Sequence, residues 1–105
     1  MKTPTEQTEQ TFVADFGNGI TCRTTLGPDN FKRKLHKPPV FEWSGRPTKE
    51  TLPAYQAWVH SIHQQIVDRA LVKTMHVFML PGGLIEIWLY QPNNPPECVE
   101  RIQTK

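Results

Sequence analysis

A two-layer α+β fold is predicted, with one principal helix packed on an antiparallel sheet of four to five strands in the order β-β-(β)-α-β-β. Three observations predict it. Leu52, Tyr55, Val59, Ile62, Ile66 and Ala70 recur at steps of three and four, the spacing of one helical face. On either side lie stretches of strand-forming residues that turn on glycine, at Gly17-Asn18-Gly19 and at Pro81-Gly82-Gly83. A helix set between two hairpins fits a single sheet with the helix on one face.

The chain has 105 residues, enough for one domain. Residues 1–10 are polar and carry no candidate for burial, which predicts a disordered tail and a single small domain over 11–105. Phe12, Ala14 and Phe16 then alternate with Val13 and Asp15 up to the first glycine turn. A three-residue loop with Gly19 in the left-handed conformation places Phe16 opposite Ile20 and Ala14 opposite Cys22. That register gathers Phe12, Ala14, Phe16, Ile20 and Cys22 on one face, whereas a slip of one residue scatters them.

Leu26-Gly27-Pro28-Asp29-Asn30 is a turn. The basic segment Phe31–Lys37 follows, and Pro38-Pro39 forces an extended path into Val40-Phe41-Glu42-Trp43, a short edge strand. Thr51 is the expected N-cap of the helix, because it leaves Pro53 in the first turn, where a missing N–H costs nothing. From Leu52 to Ala70 the helix is about 28 Å long at the standard rise. Gln56, His60, Gln64 and Asp68 fall outside its apolar stripe and are expected to be wet, with Trp58 and His63 at the margin.

Beyond the helix, a two- or four-residue loop at Pro81-Gly82-Gly83 pairs Leu80 with Ile85, Phe78 with Ile87 and His76 with Leu89. These make an aliphatic face suited to the helix. The last segment, Asn93 to Ile102, reads as a loop leading into one helical turn.

Several function classes are disfavoured. A net charge of +2 does not demand a polyanionic partner. Ten prolines punctuate loops without forming a repeat. Cys22 and Cys98 form neither a disulfide framework nor a zinc signature. No apolar run approaches a signal peptide or a membrane span, so a cytoplasmic protein without a cofactor is expected. His60 and His63 lack a third and fourth metal ligand in any known frame. Ser44, Ser61, Cys22 and Cys98 stand in no nucleophile motif.

The leading candidate surface is the reverse face of the second hairpin, with Met75, Val77, Met79, Trp88 and Tyr90 as protein-binding residues. Leu84 also belongs to that face, and Glu86 acts on it as a gatekeeper charge. The favoured reading is a small non-enzymatic interaction, adaptor or regulatory protein that binds another protein or itself as a homodimer. The runner-up is a nucleic-acid-binding module in which Lys32, Arg33, Lys34 and Lys37 meet phosphates. A small enzyme comes third, because no motif places a pair of acid–base groups.

Overall fold

A computed structural model of the chain describes residues 9–34 and 37–104. Strands β1 (Gln10–Asp15), β2 (Thr21–Leu26) and β3 (Phe41–Ser44) precede helix α1 (Leu52–Ala70). Strands β4 (Thr74–Leu80), β5 (Leu84–Tyr90) and β6 (Glu97–Gln103) follow it. The α+β class holds, but the single sheet of four to five strands does not. There are two three-stranded antiparallel sheets, ordered β1-β2-β3 and β4-β5-β6. The chain divides into two compact units at Pro47 and Thr48. Most of the tail expected over residues 1–10 lies outside the described residues.

In the first unit the three-residue turn is present, with Gly17, Asn18 and Gly19 all at positive φ. Ala14 pairs with Cys22, and the Phe16 N–H donates to the Ile20 carbonyl at 2.8 Å. Cys22, Thr24 and Leu26 are buried at alternate positions of β2, the two-residue period of a strand with one covered face. Strand β3 pairs with the other side of β2, Cys22 with Trp43 and Thr24 with Phe41. The Thr24 hydroxyl donates to the Val40 carbonyl at 2.7 Å, so this buried polar group is satisfied. Gly45 closes the strand at φ 85, where a Cβ would stand 3.1 Å from the Gly19 carbonyl oxygen. Only glycine fits there without strain.

In the second unit α1 has the predicted bounds, with Thr51 at the N-cap and Pro53 in the first turn. It buries Val59, Ile62, His63, Ile66, Val67 and Ala70. The C-terminal segment expected as a helical turn is strand β6 instead. A bulge there explains the misreading: Ile87 pairs with Glu100 and Trp88 with Cys98, leaving Val99 as the extra residue. The bulge shifts the inward–outward phase in mid-strand, so no simple alternation shows in the sequence.

Leu71 ends α1 in the left-handed conformation, φ 58, while its N–H caps the Val67 carbonyl. A side chain in that region costs about 1 kcal/mol relative to glycine. Its leucine side chain is 53% exposed and contributes little packing in return. Leu71→Gly should therefore raise stability by about 0.5 kcal/mol, after glycine's greater freedom in the unfolded chain is discounted. Urea titration checks this, and a lower midpoint than wild type would contradict it.

Candidate functional site

The second unit's chemistry follows from one loop. Pro81, Gly82 and Gly83 form a three-residue connection, with both glycines at positive φ, and Leu80 pairs with Leu84 across it. The expected pairs Leu80–Ile85 and Phe78–Ile87 are displaced by one residue: Phe78 faces Glu86, and Val77 faces Ile87. A one-residue slip exchanges every side chain of a strand between faces. Thr74, His76, Phe78 and Leu80 thus share the inner face with Leu84, Glu86, Trp88 and Tyr90. The outer face pairs Met75, Val77 and Met79 with Leu89, Ile87 and Ile85.

The inner face is aromatic and polar, and α1 meets it with the residues expected to be wet. Gln56, His60 and Gln64 stand four apart, so they form one row along the helix. The Gln56 amide donates to Glu86 Oε1 at 2.9 Å. His60 Nδ1 and the Tyr90 hydroxyl share a 2.8 Å hydrogen bond. Gln64 donates to the Gln91 carbonyl at 3.0 Å and to Asp68, whose carboxylate also accepts the Asn93 N–H at 2.8 Å. That backbone donor, with Gln64, holds the Asp68 carboxyl below its ordinary range. A row that looked like solvent-facing surface is the seam between helix and sheet.

Glu86 is the centre of this seam. Its side chain is 8% exposed and accepts from Gln56, from Trp88 Nε1 at 3.0 Å and from Arg101 Nε at 2.8 Å. Burial pushes its carboxyl up. The hydrogen bonds from Arg101, Trp88 and Gln56 outweigh that and hold it below the usual value. An ionised carboxylate filled by three donors anchors structure and has no proton to give, so Glu86 is not a gatekeeper charge on an open face.

Imidazole and aromatic rings fill the rest. His63 stacks on Tyr90 with centroids 4.6 Å apart, His63 lies 4.8 Å from His76, and His76 meets Phe78 edge-on at 4.8 Å. His60 lies 4.3 Å from Trp88. Burial pushes the Tyr90 phenol upward and both His60 and His76 downward, with Glu86 partly opposing the shift at His60.

The predicted protein-binding set divides accordingly. Met75 (59% exposed), Val77 (49%) and Met79 (79%) lie together on the outer face. Trp88 and Tyr90 lie on the inner one: Tyr90 is fully buried, and half-buried Trp88 is spent on Glu86 and His60. Five residues therefore do not form one surface. Sequence reasoning missed Ile85, Ile87 and Leu89 of β5 and Ile102 of β6. Counting Pro81-Gly82-Gly83 as the whole loop is the signal that finds them. The outer face reads in three rows across the sheet: Met75–Leu89–Glu97, Val77–Ile87–Glu100 and Met79–Ile85–Ile102.

In the first unit, Lys32, Arg33, Lys34 and Lys37 are all exposed, while Leu35 and His36 lie outside the described residues. Lys32 pairs with Asp29 at 3.0 Å, and the Asn30 amide donates to the Lys37 carbonyl. A hollow of about 420 Å³ beside this segment is lined by Lys37 but also by Glu9 and Asp29, mixed charge that does not favour a polyanion. Cys22 is buried, which pushes its thiol up to about 11, away from reactivity. Among the described residues no cluster of three or more His, Cys, Asp or Glu could hold a metal, and no helix is long and apolar enough to cross a membrane. No protein-family model, curated protein or solved structure matches the chain.

Two outcomes are expected. Glu86→Ala should cost about 2 kcal/mol in urea titration, since half-buried Trp88 and Gln56 lose a charged acceptor. Arg101→Ala should cost far less, because Arg101 is 63% exposed and its ion pair is screened. Equal losses would show that the exposed ion pair, not the buried donors, carries the contact.

The second outcome concerns pH. Partial burial lowers the His60 and His76 imidazoles, so the unfolded chain binds more protons than the fold at and below the ordinary imidazole value of about 6.5. Stability should be full above that pH and fall as the pH drops through it. The urea midpoint should decrease from pH 7.5 to pH 5.5, with a shallower slope in His76→Phe. A flat profile over that interval would refute the downward shift of these half-buried imidazoles.

Proposed function

We propose that this protein is a small non-enzymatic interaction module whose outer β4-β5-β6 face docks another protein. One observation carries the reading. The helix seals only the inner face of that sheet, and Met75, Val77, Met79 and Ile102 remain exposed in the folded chain. With half-buried Ile85, Ile87 and Leu89 between them, they form a contiguous apolar surface of the kind that marks contact sites. Two methionines give it adaptable contacts, and Glu97 and Glu100 give it an acidic margin along β6.

The seam behind it supports the same reading from the other side. Its Glu86 carboxylate is filled by Gln56, Trp88 and Arg101, and the His60 ring is bonded to the Tyr90 hydroxyl, so both groups are engaged in structure. A cytoplasmic setting, in which Cys22 and Cys98 persist as thiols, fits a module of this kind. Nucleic-acid binding by Lys32, Arg33, Lys34 and Lys37 is the weaker reading, because Asp29 already pairs with Lys32.

Site-specific photo-crosslinking in the native cell tests the proposal. A photoreactive residue at Val77 or Met79 should yield a discrete protein adduct that the same residue at Ser61, exposed on α1, does not. The purified partner should then bind the Ile87→Glu variant about tenfold more weakly, the scale of one anchoring apolar contact. Adducts of equal yield from Ser61 and Met79, or unchanged binding by Ile87→Glu, would refute it.

A further inference from the structure

We infer that β4 is a self-pairing edge, and that two copies of this chain join there into one six-stranded antiparallel sheet. Each sheet leaves two strands paired on one side only, so the described residues contain four open edges. Three carry charge: β1 ends in Asp15, β3 holds Glu42, and β6 holds Glu97, Glu100 and Arg101 along with its bulge. Such charges and bulges are how proteins blunt an edge against pairing. Strand β4, Thr-Met-His-Val-Phe-Met-Leu, has no acidic or basic residue other than His76, no proline and no bulge in its pairing with β5. At seven residues it is also as long as its neighbours.

A second copy matches this edge better than it matches any other. Antiparallel pairing about a two-fold axis at Val77 sets Val77 against its own counterpart and Met75 against the other copy's Met79. Val77, Met75 and Met79 are exposed at 49%, 59% and 79%, and they gain like partners. On the inner side the same register sets His76 against Phe78 and Thr74 against Leu80. The nearest flanking charge, Lys73, lies four residues from the axis. The two lysines then stand about 27 Å apart along the strands, well beyond the screening length. Self-pairing of β6 about its central Glu100 would instead set two glutamates directly opposite, with Cα atoms about 5 Å apart, and like charges there disfavour it.

The inference concerns the open edge of β4, not the outer face that docks another protein. The two readings fail separately: Ile87→Glu changes a β5 side chain at the centre of the face, beside Val77, and no residue of the β4 edge. Sedimentation of the full chain over a concentration series should move from the 12.1 kDa monomer to twice that mass. Met75→Lys/Met79→Lys places lysine opposite lysine across the axis, whereas Met75→Glu/Met79→Lys places glutamate opposite lysine. The second double variant should dimerise at a concentration about tenfold lower than the first, since two symmetric cross-strand pairs change sign. Circular dichroism confirms that both are folded, and the two substituted positions, Met75 and Met79, are solvent-exposed in the monomer. A wild-type chain that stays monomeric to about 1 mM, the weak limit of specific association, overturns the inference. So do double variants that dimerise equally, or a dimer that Ile87→Glu abolishes.

Discussion

The buried Glu86 carboxylate decides what the second unit can be. A charge in a site that is 8% exposed persists only if its lone pairs are filled, and it draws one donor from each of three directions. Gln56 comes from the helix, Trp88 from its own strand and Arg101 from β6. Those donors tie α1 to β5 and β5 to β6. They also require Glu86 to sit on the helix side of the sheet, which turns Ile85 and Ile87 outward. The polar seam and the apolar outer face are two sides of one constraint.

This arrangement inverts the usual division of a two-layer fold, in which the helix receives the apolar face of the sheet and water receives the polar one. Here the helix receives Glu86, Trp88 and Tyr90, and the aliphatic residues of β5 face outward. Burying Ile85, Ile87 and Leu89 instead would have turned Glu86, Trp88 and Tyr90 outward beside Met75, Val77 and Met79, and taken from Gln56 and His60 their partners on the sheet. The chain accepts the more demanding packing, in which each buried hydrogen bond contributes only about 1 kcal/mol net but costs more than that if broken. An exposed aliphatic face backed by so specific a seam is consistent with a surface kept for contact.

Much of this was legible in the sequence, and the losses have identifiable causes. The bounds of α1 followed from the position of Thr51 and Pro53 and from the apolar period. The first hairpin followed because one register alone aligned Phe12, Ala14, Phe16, Ile20 and Cys22. The second hairpin offered no such choice. Leu84, Trp88 and Tyr90 are as apolar on one parity of β5 as Ile85, Ile87 and Leu89 are on the other, so alternation could not select between them. Gln56, His60 and Gln64 would have settled it, but a polar row on a helix reads as solvent-facing until an acceptor is known to lie opposite. Met75, Val77 and Met79 were identified as a surface because β4 keeps its parity in either register. Trp88 and Tyr90 were lost with the register, and β6 was hidden by the extra residue Val99.

Apolar contact has no direction, and a helix resting on an aliphatic sheet can turn about its axis by a fraction of a step at little cost. The Gln56–Glu86 and His60–Tyr90 bonds act as two pins four residues apart on the same row, and they index α1 to a single angular setting. Replacing both pairs with aliphatic residues of similar volume would preserve or even increase stability, as buried polar groups often allow. It would also remove the pins. The chain would keep its helix and lose the one rotation that holds its opposite sheet face in a defined shape.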